Sequence, residues 1–152
     1  MPSLSMLTPF GSLCATQTGD ALSKLDWCVA QDAEPTDLLV ETMTQLQAYC
    51  DGTLTKFDLP LVVAGGALQR AVCDAMRAIP LGETLTYGEI AREVGASAQA
   101  VGQACGKNPI PVIIPCHRVM GAGGKLTGFS GLGGVETKVA LLRHERAGGL
   151  LI

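Results

Sequence analysis

Over residues 3–30 the apolar positions come in short, strand-length segments: Ser3 to Thr8, Gly11 to Thr16 and Ala21 to Val29. Pro9-Phe10-Gly11 and Thr18-Gly19-Asp20 separate them, and Gly19-Asp20 is a hairpin turn signal. After Pro35 the period changes. Thr36 reads as an N-cap with Asp37 in the first turn, and Leu39, Met43, Leu46 and Cys50 recur at helical spacing until Asp51-Gly52. Leu59 to Val63 is an apolar run of strand length. The first half therefore predicts a small sheet with one packed helix, with Trp27 and Tyr49 as core or interface residues. Gly65-Gly66 suits a linker, which predicts domains at 1–65 and 66–152.

The second half predicts helices. Ala67 to Ala78 carries Leu68, Val72, Ala75/Met76 and Ile79 on one side, and Pro80-Leu81-Gly82 stops it. Thr86 to Val94 and Ala98 to Gly106 are two short helices around Gly95-Ala96-Ser97, a helix-turn-helix candidate. The second of these is built from Ala, Gly and Gln, with no charge before Lys107. Two readings fit such a surface: tight packing between helices, or close approach to a DNA groove with amides facing base edges. Lacking arginine, the helix suits shape-driven rather than sequence-specific contact. Leu126 to Gly131 holds a short strand turn, Val135 to Arg146 a last helix with Val139, Leu141 and Leu142 apolar, and Gly148-Gly149 its end. The class is α+β.

Composition narrows the partners. The 152 residues are 47% hydrophobic and 16% charged, an ordered globular chain rather than a disordered one. The net charge of -3 is uneven: residues 1–79 carry -5 and residues 80–152 carry +2, so the second half can face phosphates. Six cysteines without a C-x-x-C pair, two histidines and no ligand spacing give no metal site. Met1 to Phe10 does not read as a signal peptide, and no apolar run reaches the ~20 residues of a membrane span. A cytoplasmic protein with reduced thiols is expected, and no membrane partner.

The chemistry concentrates at Ile113-Ile114-Pro115-Cys116-His117-Arg118-Val119. Asn108-Pro109-Ile110-Pro111 stiffens the approach and a glycine-rich segment, Gly121 to Gly134, follows. Stiff backbone before a thiol and flexible backbone after it suit a reactive cysteine held in one pose. The competing reading is a buried structural cysteine beside a hydrogen-bonded histidine. A cysteine hydrolase or redox thiol protein fits less well, because a base next in sequence points away from the thiol on extended backbone.

Taken together, Ile79-Pro80, Gly82, Thr84, Thr86-Tyr87-Gly88, Ala100-Val101-Gly102, Asn108-Pro109, Ile114-Pro115-Cys116-His117-Arg118-Val119, Gly128-Phe129-Ser130-Gly131, Lys138, Leu141-Leu142 and Glu145 resemble the O6-alkylguanine-DNA alkyltransferases. The resemblance covers about residues 67–146. It implies a ribonuclease H-like N-terminal domain followed by a helical C-terminal domain with a helix-turn-helix. It implies a single-turnover transfer of a methyl or small alkyl group from guanine O6 in DNA to Cys116, without a cofactor. His117 would draw the Cys116 proton through a bound water and Glu145 would hold His117. Tyr87 would donate to the leaving guanine and Ser130 to its oxygen. Asn108 would tie the recognition helix to the active-site loop. Cys105, Val119, Phe129 and Ser130 would line the pocket, and Arg118 would be structural. Ala98, Gln99, Ala100, Gly102, Gln103 and Lys107 would meet double-stranded DNA from the minor groove, the protein acting as a monomer. Taken singly, Tyr87 also fits a core position, and Glu145 and His144 a surface one.

Three positions depart from the family pattern. Gln99 stands where an arginine is usual, the Gly95-Ala96-Ser97 turn is short, and Phe129 stands where a hydroxylated aromatic is common. A lesion-binding protein of the alkyltransferase-like type, without transfer activity, is the alternative, and it lacks the acceptor cysteine that Cys116 supplies here.

Overall fold

The computed structural model describes residues 1–29, 33–125 and 134–146. They fall into two units, Met1–Val63 and Ala64–Ile152. The first unit opens with an antiparallel sheet of β1 (Ser3–Thr8), β2 (Gly11–Thr18) and β3 (Ala21–Asp26), in that order. Its turns need left-handed backbone, and glycine supplies it at Gly11 (φ 123°) and Gly19 (φ 60°). Thr16 pairs with Lys24 and Gln17 with Leu22, so Ser23 is an extra residue in β3. That bulge explains why Leu22 and Leu25, an odd number of places apart, are both buried; regular alternation would send them to opposite faces.

Helix α1 (Asp37–Cys50) packs on the sheet. Thr36 caps it, its hydroxyl accepting from the Leu39 amide. Its buried residues are Leu39, Thr42, Leu46 and Tyr49, not the expected Leu39, Met43, Leu46 and Cys50. The face is rotated toward Thr42, whose hydroxyl donates to the Leu38 carbonyl (2.8 Å) and so enters the core satisfied. Tyr49 lies in the core against Phe10 and Phe57. Two other expectations are corrected. The third strand stops at Asp26, not Val29, and Leu59–Val63 is not a strand. Only Leu61 bridges to Leu22, through Leu22 N–H to Pro60 C=O and Val62 N–H to Leu22 C=O. Pro60 has no N–H to extend the ladder.

In the second unit α2 (Ala67–Arg77), α3 (Tyr87–Val94) and α4 (Ala98–Gly106) pack against one another around Val72, Met76, Ile90 and Val101. Leu68, expected on the buried side of α2, is 39% exposed; in that first turn it is Gln69 that faces α4, its Nε2–H donating to the Ala104 carbonyl (2.9 Å). Thr86 and Glu89 form a capping box at the start of α3. Gly95 ends α3 in the left-handed region (φ 72°), and Ser97 caps α4.

Leu85–Thr86 (β4) pairs in parallel with Val119–Met120 (β5), a contact the sequence pattern did not predict. Two-residue strands have no periodicity to read. The last helix, α5 (Val135–His144), stops two residues before the expected Arg146, and Val139 on it is half-buried while Leu141 and Leu142 are core. The expected strand turn at Leu126 to Gly131 and the stop at Gly148-Gly149 lie outside the described residues. Among the described residues, no helix is long and apolar enough to cross a membrane.

Candidate active site

The site is built at the join between the proline-stiffened loop and a short 3-10 turn, Cys116–Arg118. Asn108 braces the loop. Its backbone N–H donates to Cys105 C=O at the end of α4, its Oδ1 accepts from Ile110 N–H (3.0 Å), and its Nδ2 donates to Ile114 C=O (2.8 Å). The Asn108 amide also acts on the Cys116 thiol, drawing it down. Between the prolines Val112 is buried with φ 73°, a conformation costly for a β-branched residue and held by the packing around it. Cys116 N–H donates to Ile114 C=O (2.8 Å), closing the turn that aims the thiol.

His117, Arg118 and Glu145 form one buried cluster. His117 Nε2 lies 2.6 Å from Glu145 Oε2. Arg118 donates through Nε to Oε1 (2.8 Å) and through Nη2 to Oε2 (3.2 Å), and through Nη1 to the Ile79 carbonyl (2.7 Å). The guanidinium thus meets the carboxylate with two nitrogens, the geometry arginine is built for. Burial alone would raise the Glu145 carboxyl; the His117 and Arg118 contacts outweigh it and hold the group at about 2, ionised. Burial holds His117 below its ordinary value against the pull of Glu145, so its ring is neutral near pH 7. With Nε2–H committed to the ionised carboxylate, Nδ1 is left as an acceptor. Among the described residues it is the one buried side-chain polar atom without a partner.

Burial pushes the Cys116 thiol up to about 11, while the Asn108 amide and the Lys138 charge pull it down. Lys138 is the residue whose role sequence reasoning missed. It is fully buried on α5, donates from Nζ to the Val119 carbonyl (2.5 Å), and sits 6.0 Å over the Tyr87 ring. The available signal was a lysine three and four places before Leu141 and Leu142, on the stripe that faces the core.

Of the expected site residues, Cys116, His117, Asn108, Glu145, Arg118 and Val119 meet here through the contacts above. Tyr87 joins through Lys138, half-buried at the start of α3. Cys105 is buried on α4, its Sγ 3.6 Å from Met76 Sδ and its thiol pushed up to about 12, first by burial. Phe129 and Ser130 lie outside the described residues. On α4, Ala98, Gln99, Gln103 and Lys107 are exposed, and Ala100 and Gly102 half-buried. Among the described residues, a Cβ added at Gly102 or Gly106 would meet nothing within 4 Å, so no packing against those residues calls for glycine at either place.

A buried thiol on a braced turn, with a neutral histidine held by an ionised carboxylate and a helix of small side chains open beside it, defines a class: proteins that present one cysteine as a nucleophile. Residues 67–147 match the model of the 6-O-methylguanine DNA methyltransferase DNA-binding domain. A methylated-DNA–protein-cysteine methyltransferase of Mycobacterium leprae is 42% identical over 93% of this chain and 90% of its own. That of Mycolicibacterium paratuberculosis is 53% identical over 67% of this chain and 62% of its own. Among solved structures, Mycobacterium tuberculosis OGT in complex with DNA superposes with a TM-score of 0.87 at 40% identity, covering 97% of this chain and 94% of that one. The chain belongs to the methylated-DNA–protein-cysteine methyltransferase family.

Proposed function

We propose that this protein repairs DNA by moving a methyl or small alkyl group from O6 of guanine to Cys116, once per molecule. The observation that carries the reading is the buried relay: Glu145 on one side of the His117 ring, and an unpartnered Nδ1 on the other. The Cys116 proton passes through a water to Nδ1, and Glu145 stabilises the imidazolium that forms. The thiolate then attacks the alkyl carbon in line, the carbon–oxygen bond breaks, and the electrons return to the guanine. The stiff Pro111 to Pro115 approach keeps the sulfur aligned. Tyr87 offers a hydrogen bond to the leaving base, with Ser130 at the oxygen. Cys105, Val119 and Phe129 supply the apolar wall, and Arg118 fixes the relay without touching the alkyl group.

DNA is the partner on this reading. α3 and α4 act as a helix-turn-helix, with Gln99, Gly102 and Gln103 entering the minor groove, Ala98 and Ala100 lying close beside them and Lys107 on the phosphates. The open glycines of α4 support that approach, since a Cβ at Gly102 or Gly106 would meet nothing among the described residues. Opening the duplex costs a few kcal/mol, offset by contacts to the flipped base. The first unit corresponds to a ribonuclease H-like domain over 1–65, and the acceptor domain to 66–152. The protein works as a monomer in the cytoplasm.

The test is mass spectrometry after incubation with a duplex carrying O6-methylguanine. One added methylene on the peptide holding Cys116, at no more than one per molecule and absent in Cys116→Ala, is expected. Binding of the duplex with no mass change points instead to a lesion binder and overturns the transfer reading.

A further inference from the structure

In the first unit, the sheet sets a second pair of thiols side by side. Cys14 of β2 pairs with Asp26 of β3. Counting on in that register, Cys28 falls opposite Ser12, on the same face as Cys14 and diagonal to it. The Ser12 hydroxyl donates to the Cys28 carbonyl (3.4 Å), so Cys28 stays beside β2 although the chain bends at Trp27 and Cys28. Trp27 anchors the residue before, its Nε1–H donating to the Phe10 carbonyl (3.2 Å). Cys28 lies near enough to Cys14 to help hold its thiol up, after burial. Cys14 is 6% exposed, whereas Cys28 is open to solvent. Neither takes part in the relay described above.

We infer that Cys14 and Cys28 form an oxidisable dithiol, in which a hydroperoxide attacks Cys28 and Cys14 closes the product into a disulfide across the sheet. The Cys28 sulfur attacks one peroxide oxygen, the O–O bond breaks, and the departing oxygen takes up the thiol proton. This leaves Cys28 as a sulfenic acid. The Cys14 sulfur then attacks the Cys28 sulfur, the S–O bond breaks, and the hydroxyl leaves as water with the Cys14 proton. Two thiols lose two electrons and the peroxide gains them.

The order follows from access and protonation. Burial, and then the Cys28 contact, hold the Cys14 thiol above its ordinary value, so it stays protonated while the exposed thiol reacts first. Diagonal positions on paired strands have Cα atoms about 7–8 Å apart, just beyond the ~7 Å limit for a disulfide. β3 ends at Asp26, so the Cys28 backbone can close that gap without breaking a ladder pair.

The test uses the full chain, treated with a few equivalents of hydrogen peroxide, capped with N-ethylmaleimide and digested with trypsin without reductant. Cleavage after Lys24 and Lys56 separates Cys14 from Cys28, leaving Cys50 on the Cys28 peptide. Expected is a linked pair two hydrogens lighter than the sum, with fragments placing the bond at Cys28, and its loss on adding dithiothreitol. Cys14→Ser is expected to stall at a Cys28 sulfenic acid that dimedone traps, and Cys28→Ser to give no link. Both variants are checked for native circular dichroism. Wild-type Cys28 passing to the sulfinic acid with no linked peptide, or joining Cys50 instead of Cys14, would overturn the inference.

Discussion

Glu145 holds the two residues that follow Cys116: the His117 ring through Oε2 and the Arg118 guanidinium through both oxygens. Glu145→Gln keeps the shape and removes the charge. It leaves Arg118 buried without an anion, at a cost of about 3–5 kcal/mol. It also leaves the His117 imidazolium without its stabiliser, so alkyl transfer should slow on the order of a hundredfold. Rapid-quench transfer and urea denaturation of the same variant measure the two effects, and an unchanged transfer rate would remove Glu145 from the proposed relay. Lys138 acts on the thiol itself. Lys138→Met keeps most of the aliphatic stem and deletes the charge that lowers the Cys116 thiol. The pH midpoint for alkylation of Cys116 by iodoacetamide should then rise, and the rate below that midpoint should fall with it. A midpoint that stays in place would show that the ammonium only anchors the Val119 carbonyl. The sequence marked Cys116, His117 and Glu145 but left Lys138 without a role, because a lysine's burial depends on packing that no local pattern encodes.

Among the elements, α3 and α4 bear most directly on the proposed function. Thr86 joins β4 to α3, and its capping box fixes the turn from which Tyr87 projects. Thr86→Ala should cost about 1 kcal/mol in chemical denaturation and slow transfer, while Cys116 remains reactive toward iodoacetamide. Equal losses in both reactions would mean that the cap supports the thiol rather than Tyr87. On α4, the exposed Gln99 brings neither charge nor the reach of arginine. Gln99→Arg should therefore raise the rate on a methylated duplex and leave the reaction with free O6-alkylguanine nearly unchanged; an equal effect on both substrates would sink the idea. These helices were legible because their caps are local: Thr86 with Glu89, Ser97, and Gly95 each act within four residues. The α1 face was misjudged by one position because a helix period fixes a stripe only to within a residue. The bonded pair Thr42–Leu38 brought a polar residue into it.

At the scale of the whole molecule, the buried relay links stability to pH. His117 sits below its ordinary 6.5, so its contribution is in place above that value and is lost as the solution is acidified and the unfolded chain takes up the proton first. Glu145 sits at about 2 against an ordinary 4.5, so its contribution is present above 4.5 and fades as pH falls toward 2. Urea midpoints should drop from pH 7 to 5 and further from pH 5 to 3, and Glu145→Gln should flatten the second step; equal midpoints at pH 7 and 3 would contradict the ion-pair account. The sequence by itself determined the hairpins, the capped helices, the change of character between the halves and the Pro-Cys-His segment around which the candidate site is built. Each rests on residues close together along the chain, where backbone preference and periodicity act. Only the tertiary structure decided that Glu145 reaches His117 across 28 positions, that Lys138 enters the core beside the thiol, that β4 pairs with β5, and that Cys28 meets Cys14. Those contacts join segments whose separate patterns carry no mark of one another; packing alone fixes which charges and thiols become neighbours.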